Sequence, residues 1–407
     1  MKVIIVGGGA SGCFASILIA SKGHKVILLE KNEKLGKKIY ITGKGRCNLT
    51  NAVIGNDFLK HVVNNQKFIM SSLVRFNSND TMDYFRELGV PLKIERGNRV
   101  FPESDKASDI TKAMERRMKT LGVEVRLNSE VKSIITEDGI AKGIVLKSGD
   151  KILSDAVVVA TGGVSYPLTG STGDGYIFAK ETGHRLIEPV PALCSVILND
   201  KDLYNLSGLS LKNVRLIARE KSKTIYESEI GEMLFTGNGI SGPLVLTMSS
   251  HINRILPQNI TLSIDFKPAL DDFALFQRVE RDIVSLKAKQ FSSLLSLLLP
   301  SSLVDVFARR LKINKTKKVS QLTSEERKNL ASMLKNFKLD FKALDDIERA
   351  VVTSGGVNVK DIKPKSMESK LVSRLYFIGE VLDVDAHTGG FNLQIAFSTA
   401  ASCASDF

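Results

Sequence analysis

The sequence predicts an α/β protein: a parallel sheet built from both ends of the chain, interrupted by a β-rich domain that carries a helical excursion. Three observations carry this expectation. A short apolar strand, a glycine turn, a helix and a second strand fill the first thirty residues, and a strand, a glycine turn and a helix close the chain. Between Glu188 and about Ala350 these give way first to period-two apolar alternation and then to helical periodicity.

The bounds set by composition agree. The chain has 407 residues, enough for two or three domains, with 43% hydrophobic and 25% charged residues, which excludes disordered, collagenous and coiled-coil classes. Its apolar runs, such as those at 157–160 and 294–299, fall short of the roughly 20 residues of a membrane span. The N-terminal run 3–6 breaks at once into Gly7-Gly8-Gly9, unlike a secretory signal. A cytoplasmic protein without a membrane partner is therefore expected. Cysteines 13, 47, 194 and 403 form no CxxC pair and no His/Cys ligand spacing, so neither a disulfide framework nor a metal is expected. The net charge, 57 − 44 = +13, permits anionic partners without identifying one. No basic motif interleaved with aromatics is present, which argues against dedicated nucleic-acid binding and for a small-molecule substrate. The oligomeric state is not legible.

The first element is the strand at 2–6. Gly7-Gly8-Gly9-Ala10-Ser11-Gly12 follows, then Phe14, Ala15, Leu18 and Ile19 at helical spacing, with Gly23 placed to end the helix. The strand at 25–29 closes on Glu30. This is a βαβ unit with G-x-G-x-x-G at Gly7, Gly9 and Gly12: the first glycine allows the turn, the second lets a pyrophosphate approach, and the third lets helix and strand pack. The unpaired amides and positive dipole end of the helix favour that anion. Glu30 stands where an acid binds the ribose hydroxyls of an adenosine and disfavours a 2′-phosphate, an inference that the adjacent Lys31 slightly weakens.

Residues 34–51, KLGKKIYITGKGRCNLTN, read as a loop that wraps an anion, with Gly43 and Gly45 permitting close backbone approach and Lys37, Lys38 and Arg46 neutralising phosphate charge. Residues 123–160 read as a series of short strands with turns at Glu137-Asp138-Gly139 and Ser148-Gly149-Asp150, the last returning to the first domain before Thr161-Gly162-Gly163. At the other end, the strand at 375–378 leads to Gly379-Glu380, a polar turn with Gly389-Gly390, and a helix bearing Leu393, Ala396, Phe397 and Ala400. If Gly390, Phe391 and Asn392 present their amides to a flavin ring, the helix dipole stabilises negative charge at its edge.

In the middle, Pro189-Val190-Pro191 opens a change of character. Residues 214–219 and 224–235 flank a Lys-Ser-Lys turn, and Ile260, Leu262, Ile264 and Phe266 alternate with polar residues as a half-buried strand does. Residues 271–337 turn helical, with Phe276, Val279 and Ile283 on one face and a Thr323/Glu326 capping box before Leu330, Met333, Leu334 and Phe337. Gly237-Asn238-Gly239-Ile240-Ser241-Gly242 repeats the G-x-G-x-x-G spelling, but Pro243 follows and no second strand with a terminal acid lies downstream. It is expected to be a structural turn with a short helix after it.

Taken together, the stretches GKGRCNLTN at 43–51, FTGNGISGP at 235–243, TSGGV at 353–357, SKL at 369–371 and GEVLDVDAHTGGFNLQIAFSTA at 379–400 resemble the HI0933-like or BaiN-like (YhiN-type) flavoproteins, over nearly the whole chain. These sit within the group whose Rossmann-like FAD domain is of glutathione-reductase type. The resemblance implies an FAD-binding domain at 1–189 and 346–407, a β-barrel-like insert at 190–270 and 331–345, and a helical subinsert at 271–330. It implies FAD held by Gly7, Gly9, Ser11 and Gly12 at the pyrophosphate, Glu30 at the adenosine ribose and the Val131 backbone at the adenine. Thr161-Gly162 and Gly379-Glu380 would line the flavin and ribityl region. Relatives commonly carry His at the position of Gly237 and an aromatic near Ile395, departures that bear on the substrate side.

A flavin performs hydride transfer itself, so few catalytic side chains are demanded. Cys47, in the loop expected near the ring, is read as a reactive thiol, a proton donor or a packing residue. Asp385 and His387 are candidates for a proton relay, and Asn48, Glu380 and Asn392 for orienting hydrogen bonds. The expected function is an oxidoreductase driven by NAD(P)H as a transient hydride donor, acting on a small or medium-sized organic substrate such as an enone. An FAD-dependent RNA-modifying protein and a non-catalytic flavin-binding redox sensor are the alternatives.

Overall fold

The structure, a computed structural model, describes every residue except 222 and 256. The centre of the expected Lys-Ser-Lys turn, Ser222, thus lies outside the described residues. The chain forms two compact units: Met1–Ala192 with Ile347–Phe407, and Leu193–Asp346.

The first unit is built on a five-stranded sheet in the order Leu375–Phe377, Ala156–Val159, Lys2–Val6, Lys25–Leu29, Glu124–Arg126, parallel throughout. Val3, Ile4, Ile5 and Val157 to Val159 are essentially fully buried, as strands covered on both faces must be, which is why they read as unbroken apolar runs. The chain proceeds from the opening strand to one side of it and only later fills the other. The order therefore reverses beside the opening strand, and the crevice at the strands' carboxyl ends lies there.

Two helices tie the chain ends together: Ala10–Ser21 after the opening strand, and Phe391–Ala404, which is buried along almost its whole length. Phe14 is fully buried between them, its ring 5.1 Å from Phe397, 5.1 Å from Tyr84 and 5.2 Å from Phe76. Truncating such a side chain to alanine costs about 3–5 kcal/mol. An antiparallel meander, Val131–Glu137, Ile140–Leu146 and Lys151–Leu153, sits between sheet strands. Its first turn uses Asp138 and Gly139, both at positive φ, the conformation that matches strand twist in a two-residue hairpin. Pro189 and Pro191 do not end this unit. They occupy the strand Leu186–Ala192, which pairs with Val352–Val357 and shifts register between Ile187 and Val190.

The second unit is antiparallel. Its sheet runs Phe337–Leu339, Ile260–Asp265, Ser210–Glu220, Gly231–Thr236, Gly239–Ser241, Val196–Leu198, Phe341–Leu344, with Lys223–Glu227 paired to Ser210–Glu220. The two outermost strands are separated in the chain by Asp340 alone, so the sheet curls back on itself. Helices Asp272–Ser285, Phe291–Leu298, Val304–Leu311 and Ser324–Lys335 follow the strand Ile260–Asp265, and the Thr323/Glu326 capping box is formed. The second glycine-rich spelling is a hairpin, Thr236 facing Gly239, followed by the helix Pro243–Ile252.

Candidate functional site

The carboxyl ends of the parallel strands bring the sequence-distant motifs of the first unit together. Gly7 leaves the opening strand at φ +108°, and a Cβ there would stand 2.5 Å from Ala160 O, so the turn lies directly on the Thr161 backbone. At Gly12 a Cβ would stand 1.9 Å from Gly7 O, which is the close strand–helix packing the motif demands. Gly9 differs: a Cβ there meets nothing within 4 Å. Gly9 is also the N-cap of Ala10–Ser21, and no side chain caps that helix although Ser11 and Gly12 are buried. Orphan amides at a largely buried helix start call for an acceptor.

Glu30, nearly fully buried, accepts hydrogen bonds from Gly8 N–H at 2.7 Å, from Asn32 N–H at 2.8 Å and from Asn32 Nδ2 at 2.7 Å. Ser129 N–H donates to the Glu30 carbonyl at 2.9 Å, which places Val131, the first residue of its meander strand, beside the end of the second sheet strand. On the other side, a Cβ on Gly379 would meet Ser11 Oγ at 2.5 Å, and one on Gly162 would come within 3.9 Å of Glu380 Oε2. Gly7, Ser11, Thr161, Gly162, Gly379 and Glu380 therefore converge.

The closing helix adds a second uncapped start. Gly390 is its N-cap at φ +98°, and a Cβ there would stand 2.3 Å from Thr50 O, so the end of the GRCNLTN stretch packs against it. Asn51 Nδ2 donates to Gly389 O at 3.1 Å. The Asn392 side chain folds back, accepting from Ala386 N–H at 2.9 Å and donating to Ala386 O at 2.8 Å, so it clamps the preceding turn. Gln394 accepts from the Thr50 and Thr81 hydroxyls at 2.7 Å each and donates to Ser398 Oγ and Phe76 O, a buried hub that sequence reading missed.

The basic residues of 31–46 do not gather at the glycine turn, as the anion-wrapping expectation required. Lys31 pairs with Asp174 at 2.7 Å and with the Thr172 hydroxyl, Lys37 pairs with Glu33 at 3.2 Å, and Arg46 pairs with Asp105 and Glu95. The stretch contains a helix, Lys37–Ile41, rather than loop alone, and Gly36 N–H donates to Gly8 O at 2.8 Å. Gly45 lies in a turn with Gly43 and Lys44, all at positive φ. Lys38 is the exception to the surface pairing: its ammonium reaches Ser165 Oγ at 2.6 Å and Glu380 at 3.0 Å, beside the converging turns. Glu380 also accepts from Thr353 N–H at 2.9 Å, and Thr353 Oγ1 accepts from Val164 and Ser165 N–H. Thr353, Ser165 and Tyr176 were not singled out from the sequence; the TSGGV spelling was the available signal for the first.

Three side-chain atoms in this region, Asn48 Oδ1, Thr161 Oγ1 and Tyr176 OH, are buried with no hydrogen-bond partner among the described residues. Burial is costly for such atoms unless something else satisfies them. Burial, with the charges of Glu380 and Asp383, holds the Tyr176 phenol well above its ordinary pKa. Cys47 is fully buried and burial pushes its thiol up to about 12, which disfavours a reactive thiolate and agrees with a packing role. Asp385 is fully buried and accepts from Asn64 Nδ2 at 2.7 Å and Ser354 Oγ at 3.0 Å. His387 is half-buried; its backbone N–H donates to His61 O at 2.8 Å and its ring Nδ1 lies 3.2 Å from His61 Nδ1.

Similarity to known proteins runs over nearly the whole chain. Residues 1–406 match the family model described as the HI0933-like protein Rossmann domain. A Clostridium scindens protein named 3-dehydro-bile acid delta(4,6)-reductase is 30% identical over 405 residues, 98% of this chain and 97% of that protein. An Escherichia coli protein named ribosomal RNA dihydrouridine synthase is 31% identical over 408 residues, 99% of this chain and 97% of that protein. Among solved structures, a 3-ketosteroid-delta4-(5alpha)-dehydrogenase from Rhodococcus jostii shares the fold with a TM-score of 0.53 at 14% identity, covering 99% of this chain and 97% of that one.

Proposed function

The chain belongs to the HI0933-like family, and from that premise we propose that it is an FAD-dependent oxidoreductase that saturates a carbon–carbon double bond conjugated to a carbonyl, with NAD(P)H as donor. The observation that carries the reading is the convergence of the glycine turn, Glu30, Thr161-Gly162 and Gly379-Glu380 at one end of the sheet. The open space at Gly9, the uncapped buried helix start and the orphaned Asn48, Thr161 and Tyr176 atoms fit a large polar ligand with an anionic centre. In this reading Gly9 and the amides of residues 10–12 hold the pyrophosphate, Glu30 the adenosine ribose, and the Val131 backbone borders the adenine. Ser11, Thr161-Gly162 and Gly379-Glu380 line the ribityl side.

Bound FAD supplies hydride transfer. The residues of the chain do the rest. The amides of Gly390, Phe391 and Asn392 stabilise negative charge, while Asn48 and Tyr176 offer hydrogen-bonding atoms without a partner among the described residues. The relatives' names share one chemical element: a 3-dehydro delta(4,6) bile acid and a uridine both carry a double bond in conjugation with a carbonyl. Overall, NAD(P)H gives two electrons and one hydrogen, solvent gives a proton, and the double bond gains two hydrogens. His387, half-exposed and four residues before the closing helix, relays that proton in this reading.

Anaerobic stopped-flow mixing tests the proposal. NADH or NADPH is expected to bleach the flavin bands, and 2-cyclohexenone or another enone to restore them. Flavin inert to both nucleotides would overturn the donor assignment, and protein that binds no FAD would overturn the whole reading. A second reading places the double bond in a uracil ring of RNA. The charge of +13 and the names of the Escherichia coli and Haemophilus influenzae relatives favour it. Mass spectrometry of ribosomal RNA from cells with and without the gene decides it: dihydrouridine lost on deletion supports RNA, and an unchanged content rejects it.

A further inference from the structure

In the second unit, the sequence puts lysines at 287, 289, 312, 315, 317 and 318, thirty-one residues apart at most. The fold makes them neighbours. The segment after helix Asp272–Ser285 runs against the one after helix Val304–Leu311 through backbone bonds: Val319 N–H to Lys289 O at 2.9 Å, Ser320 N–H to Lys287 O at 3.2 Å, and Phe291 N–H to Lys317 O at 2.8 Å. Gln290 and Lys318 face each other as an antiparallel bridge. Lys287, Lys289, Lys315, Lys317 and Lys318 are thus mounted on a fixed ladder, and Lys312 is the C-cap of the helix that leads into it.

The acids that pack nearby are already engaged. Asp305 takes Lys315 at 2.5 Å, Glu326 takes Lys317 at 2.7 Å and caps its helix, Glu280 takes Arg327 at 3.1 Å, and Asp282 takes Arg278 at 3.7 Å. Lys287, Lys289, Lys312 and Lys318 are exposed and form no ion pair among the described residues. Four cations on one rigid edge repel one another, and a polyanion that spans them relieves that repulsion with release of its counterions.

We propose that this lysine edge is a docking surface for the phosphate backbone of RNA. The inference rests on the uridine reading above. The edge carries charge without stacking aromatics, so it positions backbone and does not read sequence.

The experiment uses full-length holoprotein and ribosomal RNA transcribed without modification, with binding followed against salt. Two charge-matched variants are compared: K287Q/K289Q/K312Q/K318Q on the edge, and K67Q/K132Q/K151Q/K365Q on exposed lysines of the first unit. Flavin absorbance and the rate of flavin reduction by NAD(P)H report that each is folded. The edge variant is expected to lose about tenfold or more in affinity at 100 mM salt and roughly 3 from the slope of log K against log salt, at about 0.7–0.9 per phosphate contact. The control variant is expected to lose clearly less. Equal losses in both variants, or an edge variant that binds like wild type, would overturn the surface while leaving the uridine reading in place. Wild type that binds no RNA yet reduces an enone would overturn the uridine reading itself. Vesicles containing phosphatidylserine that bind tighter than RNA and lose that binding in the edge variant would assign the edge to a membrane and overturn the proposal.

Discussion

Gly9 and Gly12 stand three residues apart and make opposite demands on a methyl group. At Gly12 a Cβ would collide with the carbonyl of Gly7, a backbone atom that cannot step aside without unpicking the turn. Gly12→Ala is therefore expected to destabilise the apoprotein by about 1–3 kcal/mol, the usual cost of overpacking, and to lower FAD affinity with it. Gly9 has φ −80°, which alanine adopts freely, and open space beyond. Gly9→Ala should leave the apoprotein melting temperature within the equivalent of about 0.5 kcal/mol and still weaken FAD, by about tenfold or more, because the methyl enters the space reserved for phosphate. Thermal melts of the apoproteins alongside flavin titration separate the two; equal FAD affinity in wild type and Gly9→Ala would remove the phosphate from this turn. The cysteines give a second test at this scale. All four are free and buried, and burial holds the thiols of Cys13, Cys47, Cys194 and Cys403 above their ordinary range, those of Cys47 and Cys194 at about 12 and about 11. At pH 8 the native protein should give no rapid reaction with a disulfide reagent, and the denatured protein four equivalents. A fast-reacting equivalent that disappears in Cys47→Ser would restore Cys47 as a site residue.

Elements whose partners are local in sequence were legible, and those whose partners are remote were not. The βαβ unit, the closing strand and helix and the Thr323 capping box obey short-range periodicity and capping rules, so reading along the chain finds them. The lysines and arginine of 31–46 look like a phosphate cradle because their acids are far away in sequence: Asp174 for Lys31, Glu95 and Asp105 for Arg46, and Glu380 for Lys38. Gln394 and Thr353 escaped for the same reason. His184 is another such case. It ends the turn after helix Asp174–Glu181 and ties it to the SKL segment, with Nε2 2.7 Å from Ser369 Oγ, Nδ1 2.9 Å from Thr182 Oγ1 and its ring against Phe377. Burial lowers its pKa below the ordinary 6.5. As pH falls below 6.5 the unfolded chain binds a proton that the folded chain refuses, so stability drops with falling pH until the folded pKa is reached. The contribution is at most about 1.4 kcal/mol per pH unit. In His184→Gln the loss of melting temperature between pH 7.5 and 5.5 should shrink; an unchanged loss would assign the acid sensitivity to other groups, the desolvated His251 of the second unit among them.

At the scale of the whole molecule, the proposed ligand is enclosed by segments that begin and end the chain, all within the first unit, while the second unit has its own hydrophobic core. A ligand that binds only the folded first unit stabilises it by about 2.7 kcal/mol at a hundredfold excess over Kd. Hydrogen exchange resolves where that stabilisation falls. On adding FAD to apoprotein, amides at 7–12, 30–32, 161–163, 379–380 and 390–393 should slow together, although nearly four hundred residues separate the first from the last. The Ile260–Asp265 strand and the four helices after it contribute no residue to the site and should exchange as before. Protection confined to 7–32 would mean a mononucleotide-sized ligand held by the βαβ unit alone, and the assignment of the closing helix to the flavin would fall. Joint protection of both ends requires a ligand long enough to reach from the first helix start to the second, which is the property that distinguishes FAD from its adenosine half.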